Sequence, residues 1–199
     1  LLGIDQREGE AGPWRSDTMM LFSIDPSTNK ASLLSIPRDL WVKIPGYGEN
    51  RINAAHSLGD FYHYPGGGPA LAKLTVQEAL GVPVHYFMRI NFTGFEKMVD
   101  AIGGITIDVP RHIYDSAYPD NNYGTYTVEF QPGIQQLDGK RALEYARTRH
   151  DSNDFNRMER QQQVIMAIRD KVLSLNIPLS SIPGLVKLFA NFTAAFKTG

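Results

Sequence analysis

The stretch "EYARTRHDSNDFNRMERQQQ", residues 144–163, carries Arg147, Arg149, Arg157 and Arg160. A guanidinium is a planar fork that grips a phosphate through two parallel charge-assisted hydrogen bonds. Arg147 and Arg149 would point about 200° apart on a continuous helix. A helix ending near Arg147 would let both reach one anion. Arg157 and Gln161 stand at i, i+4 and share a helix face, near a helix N-terminus whose free N–H groups also favour an anion. The bland alternative is a solvated surface pairing these arginines with Glu144, Asp151, Asp154 and Glu159. On spacing alone that is the commoner outcome.

Three further stretches place charge at strand boundaries: "GID" with Asp5, "WRSDTMM" with Arg15 and Asp17, and "SIPRDLWV" with Arg38 and Asp39. Open α/β sheets form ligand sites just past the carboxyl ends of strands. If these ends share one edge, the five residues converge. Arginines alone suffice to hold phosphate, whereas a carboxylate pair beside them suits a hard cation such as Mg2+ bridging protein and phosphate oxygens. Taken singly, Asp17 and Asp39 also read as turn or cap residues.

The elements that must position these groups follow from periodicity and punctuation. "TMMLFSI" (18–24) and "ASLLSI" (31–36) read as strands of a hairpin around "DPSTNK". Helices are expected over 69–80, over 94–102 behind a Thr93/Glu96 capping box, over 139–147 behind Asp138, over about 155–175, and after Pro183 over 184–196. "VHYFMRI" (84–90) and "ITIDV" (105–109) read as strands. Residues 111–127 read as a long irregular segment. Strands interleaved with helices give an α/β class, a central mixed β-sheet flanked by helices on both faces.

Composition narrows the function. Twenty Lys+Arg against twenty-one Asp+Glu give a net charge of -1, and there is no basic run, so nucleic acid is not an expected partner. There are no cysteines, which removes thiolate chemistry and Cys-based zinc sites. The five histidines lack metal-binding spacing. The run Pro65-Gly66-Gly67-Gly68 is not a Walker loop, and Ser35 sits in no G-x-S-x-G elbow. No apolar run is long enough to span a membrane. The opening "LLGID", without Met and inside an apparent strand, leads us to expect a membrane anchor upstream of a single domain over 1–199.

The ordered series "LLGID … RSDTMM … SIPRDLWV … RINAAHS … GVPVHYFMRINFTGFEKMVDAIGGITIDVP … GIQQLDGKRALEYARTRH … DFNRMERQQQVI" closely resembles the LytR–CpsA–Psr family of bacterial cell-envelope proteins, from Leu1 to about Leu175. The resemblance implies a membrane-anchored phosphotransferase acting outside the cytoplasmic membrane. Its donor would be a glycopolymer on polyprenyl pyrophosphate, of teichoic acid, capsule or arabinogalactan type, and its acceptor peptidoglycan, joined through a phosphodiester. It further implies an apolar lipid-binding pocket, with Mg2+ as cofactor and Mn2+ as the alternative. Carried onto this chain, the metal ligands are Asp5 and Asp17. The pyrophosphate grip is Arg15, Arg38, Arg147, Arg149, Arg157 and Gln161, with Gln162 as the alternative register. Asp154 orients nearby arginines. Arg38, Arg147 and Arg149, with Asp39 as an orienting or acceptor-side carboxylate, form the catalytic group. Family members often carry a basic residue just after "PRD", and "PRDLWV" offers none before Lys43. The competing readings are a hydrolase of the same lipid carriers and a non-catalytic lipid-binding or regulatory protein.

Overall fold

The structure is a computed structural model that describes residues 1–6, 12–25, 30–120, 124–148 and 154–175. The chain forms two compact units, Leu1–Phe92 and Thr93–Gly199.

The first unit is built on a four-stranded mixed sheet. Its strands are β1 (Leu2–Ile4), β2 (Ser16–Asp25), β3 (Lys30–Ser35) and β6 (Arg89–Asn91), in the order β3-β2-β1-β6. The expected hairpin is β2–β3, with Met20 opposite Ser35 and Asp25 opposite Lys30. β1 runs antiparallel to β2 and parallel to β6. A second antiparallel ribbon, β4 (Trp41–Ile44) and β5 (Gly48–Arg51), was not foreseen. Neither was the helix α1 (Ala54–Phe61) that follows it; α2 (Gly67–Leu80) lies where a helix was expected. The core joins Leu2, Met19 and Ile36 of the sheet layer to Ile44, Ile52, Ala55, Leu71 and Val76. The expected strand over 84–90 shrinks to β6, because only Arg89–Asn91 find a partner, in β1. Tyr86 and Phe87 upstream of it are exposed.

The glycine run before α2 has a packing role. A Cβ on Gly68 would lie 2.2 Å from the His56 carbonyl oxygen, and one on Gly59 would lie 2.7 Å from Gly68 Cα. Only glycine lets α1 and α2 approach this closely. The Gly68 N–H donates to Asp60 Oδ1 at 2.7 Å.

The second unit pairs β7 (Ile105–Val109) with β10 (Gly133–Leu137). β7 alternates buried and exposed, as a half-covered strand should. The helices α4 (Gly139–Arg147) and α5 (Asp154–Ser174) pack with this ribbon. Asp138 caps α4, its carboxylate accepting from the Arg141 N–H at 2.8 Å. The helix α3 (Phe92–Ala101) begins one residue ahead of Thr93, the cap read from sequence. The described part of 111–127 is not irregular: it carries β8 (Ile113–Pro119) and the start of β9 (Thr125–Phe130), a hairpin with a bulge between Asp115 and Tyr118. The bulge breaks the strict alternation on which a strand is recognised. The helix expected over 184–196 lies outside the described residues.

Candidate functional site

In the first unit, antiparallel pairing sets the carboxyl end of β1 against the amino end of β2, with Ile4 opposite Ser16. Asp5 and Asp17 are the next residues along those two strands. The turn after β3 is tied to the segment after β5 by the Asn53 N–H donating to the Arg38 carbonyl at 3.2 Å. Asn53 O in turn accepts from the Ser16 N–H at 3.4 Å. Three sequence-distant segments are thereby pinned at one place. Around it opens a cavity of about 340 Å³ lined by Asp5, Trp14, Arg15, Asp17, Arg38, Asp39, Arg51 and Asn53, with Pro13. All five residues read from "GID", "RSD" and "PRD" stand in this lining. Arg51 and Asn53 were missed, although both lie in the stretch "RINAAHS". They come from β5 and its end, and nothing in the spacing tied that ribbon to the site.

The charges alternate. Arg38 donates to Asp17 Oδ1 at 3.0 Å and faces Asp39 Oδ2 at 3.5 Å. Asp39 Oδ1 lies 3.1 Å from Arg51. Arg51 therefore brings a cation beside Asp39 from another strand, where the residues just after "PRD" offered none. Three arginines and three aspartates line the cavity, so their formal charges, +3 and -3, cancel. A pyrophosphate would need further positive charge here.

The oxygen donors fit such a charge. Asp5 Oδ1 and Asn53 Oδ1 are buried and have no hydrogen-bond partner among the described residues. Oxygen-only donors with one or two carboxylates are what Mg2+ takes, keeping water in its other positions. Among the described residues no group of three or more His, Cys, Asp or Glu is placed to hold a metal ion, so the donors on offer here are two carboxylates, Asp5 and Asp17, and the neutral amide oxygen of Asn53.

His56, fully buried on α1, fixes the cavity wall. Its Nδ1 donates to the Trp14 carbonyl at 2.9 Å and lies 3.4 Å from Asp60 Oδ2. Its Nε2 is buried without a hydrogen-bond partner among the described residues. Burial lowers its pKa from the usual 6.5, against the opposing pull of Asp60 and the Trp14 hydrogen bond.

In the second unit, Arg147 ends α4 and donates to the Tyr118 hydroxyl at 3.2 Å, its guanidinium 5.4 Å from the centre of that ring. A cation there also complements the helix dipole. Tyr118 meets Tyr126 edge to face at 5.2 Å. Tyr126 donates to buried Glu144 at 2.7 Å, and Arg141 does the same from the other side. Burial pushes the Tyr118 hydroxyl up to about 12, against the nearby Arg147. Arg157 is buried and pairs with Asp154 Oδ1 at 2.7 Å. Gln161 is buried, its Nε2 3.4 Å from the Ala146 carbonyl; Gln162 is half-buried. Arg160 donates to the carbonyls of Tyr145 and Thr148, which ties the end of α4 to α5. The solvated surface of the bland alternative is not what forms: Arg157 and Asp154 do pair, but Arg157 is buried, as are Arg160 and Glu144, and Glu144 bonds Tyr126 and Arg141. Arg149 lies outside the described residues, as do His150 and Asp151.

Comparison with known proteins agrees with these motifs. The family model described as "LytR_cpsA_psr family" matches residues 1–198. The chain is 40% identical over 178 residues to a polyisoprenyl-teichoic acid–peptidoglycan teichoic acid transferase TagU of Oceanobacillus iheyensis, covering 88% of this chain and 51% of that protein. It is 33% identical over 208 residues to the regulatory protein MsrR of Staphylococcus aureus, covering 100% of this chain and 58% of that protein. Among solved structures it is similar to the LytR-CPS2A-psr family protein YwtF (TagT) with bound octaprenyl pyrophosphate lipid. That match has a TM-score of 0.68 and 35% identity, and covers 95% of this chain and 69% of that chain. The chain thus spans little more than half the length of the curated relatives it matches. On the extent of the family match and on these identities, the chain belongs to the LytR_cpsA_psr family.

Proposed function

We propose that this chain is the catalytic domain of a phosphotransferase that attaches a polyprenyl-pyrophosphate-linked glycopolymer to peptidoglycan through a phosphodiester, on the outer side of the cytoplasmic membrane. The observation that carries the reading is the charge-neutral cavity of Asp5, Arg15, Asp17, Arg38, Asp39 and Arg51, in a chain whose relatives include a TagU transferase and a protein with bound octaprenyl pyrophosphate. Among the described residues no helix is long and apolar enough to cross a membrane; attachment through a preceding anchor is part of the proposal, as is an apolar pocket for the prenyl chain.

Asp5 and Asp17, with the Asn53 side-chain oxygen, would hold Mg2+, which supplies positive charge to a phosphate oxygen when bound. Arg38 and Arg15 grip the phosphates, where guanidinium groups stabilise charge as the leaving oxygen separates. Asp17 and Asp39 hold Arg38 in place from two sides. Asp39, 48% exposed, is the lining carboxylate placed to accept a hydrogen bond from an incoming hydroxyl. That hydroxyl oxygen bonds to the sugar-linked phosphorus, the bond to polyprenyl phosphate breaks, and the hydroxyl proton passes to solvent. Positioning and charge suffice, without a covalent intermediate. In the second unit, Arg147, Arg149, Arg157 and Gln161 are assigned to phosphate binding, and Asp154 to orienting Arg157, on the family resemblance.

The test is a transfer assay with a lipid-pyrophosphate-linked disaccharide donor and peptidoglycan. The expected product is a phosphodiester-linked conjugate that requires acceptor and falls about a hundredfold or more in Arg38→Ala, the scale on which loss of one charge-stabilising donor is felt. Release of sugar phosphate at the same rate without acceptor would make the protein a hydrolase and overturn the reading.

A further inference from the structure

The outer face of the β4–β5 ribbon continues the cavity, and nothing in the proposed chemistry uses it. Val42 and Ile44 turn toward the core, Ile44 fully buried, so Trp41 and Lys43 point outward. Register places Trp41 opposite Arg51 and Lys43 opposite Glu49. Directly opposed residues share a face, with Cβ atoms roughly 5 Å apart. The face thus carries Trp41, Lys43, Glu49 and Arg51, and Arg51 also lines the cavity.

Trp41 is 62% exposed, unusual for the side chain with the most apolar surface to bury. It is nevertheless held: its indole N–H donates to Glu49 Oε2 at 3.4 Å. A flat ring steered by a long hydrogen bond at its edge is a partly ordered platform, which lowers the ordering cost of binding. Its flat apolar face suits the C–H face of a pyranose, and Lys43, Glu49 and Arg51 offer donors and acceptors to hydroxyl and amide groups. The face offers two cations, Lys43 and Arg51, beside the carboxylate of Glu49, with Arg51 shared with Asp39 at the cavity; both cations can meet the carboxylates of an acidic glycan.

We propose that this ribbon face docks the acceptor, a peptidoglycan glycan strand, with one sugar ring stacked on Trp41. This rests on the transferase reading above. The donor's phosphates occupy the cavity, whereas an acceptor arrives from solvent and must bring a hydroxyl within about 3–3.5 Å of phosphorus. A solvent-facing platform whose neighbour Arg51 reaches into the cavity meets that need. β4 rises about 3.3 Å per residue, so its four residues give a face long enough for more than one sugar.

The experiment follows the Trp41 indole resonance of the 15N-labelled chain during titration with un-cross-linked peptidoglycan glycan fragments, and in parallel with a neutral chitooligosaccharide. Binding of a sugar-free polyprenyl pyrophosphate is measured on the same samples. Trp41→Ala should weaken glycan-fragment binding about tenfold or more, as truncating a central Trp anchor does. Trp41→Phe should retain part of it, the neutral oligosaccharide should bind more weakly than the acidic fragments, and pyrophosphate binding should be unchanged. Equal fragment binding by Trp41→Ala and wild type, or no saturable shift of the indole resonance in wild type, would overturn the proposal. Fragment binding at Trp41 with no binding of polyprenyl pyrophosphate would leave the platform standing and sink the transferase reading instead.

Discussion

Asp5→Asn should make the protein more stable and less responsive to magnesium. Asp5 Oδ1 is buried without a hydrogen-bond partner among the described residues. An unsatisfied buried acceptor costs about 1–3 kcal/mol, more when charged. Only one of the two oxygens is in that state and Asp5 is half-buried, so we take the low end, about 1 kcal/mol. A neutral amide relieves the charged part of that cost, while an amide atom still fills the buried position, so the metal-free protein should gain up to about 1 kcal/mol. For a chain of 199 residues this is roughly 2–4 °C in Tm. Wild type should gain from Mg2+ by mass action, about 2.7 kcal/mol at a hundred times Kd, and Asp5→Asn should gain little. Both tryptophans, Trp14 and Trp41, lie in the first unit, so fluorescence-detected melting follows the unit that holds the site. Melts with EDTA and with millimolar Mg2+ give four midpoints. A lower Tm for Asp5→Asn in EDTA, or wild-type and variant midpoints rising equally with Mg2+, would refute the argument that Asp5 is a carboxylate kept for a cation.

Gly68→Ala places a Cβ 2.2 Å from the His56 carbonyl oxygen and 2.9 Å from Asp60 Cγ; overpacking against backbone should cost about 1–3 kcal/mol or more, read as a lower urea midpoint at unchanged m-value. His56 has a folded pKa below its unfolded value of 6.5. The unfolded chain therefore binds its proton first, so stability is full above pH 6.5 and falls as pH drops from there through the folded pKa. His56→Gln should flatten that slope between pH 7.5 and 5.5, and an unchanged urea-midpoint slope would refute the assignment. Arg160→Met should destabilise by about 1–3 kcal/mol by leaving the carbonyls of Tyr145 and Thr148 without their donor; a variant as stable as wild type in thermal melts would show that water replaces it.

What the sequence made legible was what one strand or one helix determines alone. The apolar runs "TMMLFSI" and "ASLLSI" around the turn "DPSTNK" point to a hairpin, and Asp138 before "GKRALEYAR" points to a capped helix. The convergence of Asp5, Arg15, Asp17, Arg38 and Asp39 was also legible, because all five flank strands that pair within the same sheet layer. Their individual chemistry came from the family resemblance and not from spacing. What stayed hidden depends on contacts between segments. β8 and β9 hide behind a bulge. β4 and β5 are four residues each, too short for periodicity to register. That second omission concealed Arg51, a cation in the lining that lies closer to Asp39 than Arg38 does, 3.1 against 3.5 Å. It also obscured Trp41, which in "PRDLWV" stands as one apolar residue between two others. Only cross-strand register turns Trp41 and Arg51 into neighbours, one facing solvent and the other reaching the cavity. A site whose charges cancel and whose rim carries an exposed, tethered indole is organised to receive ligands from two sides. The arginine-rich stretch that first draws attention divides its work: Arg160 holds backbone carbonyls, and Arg157 is paired with Asp154.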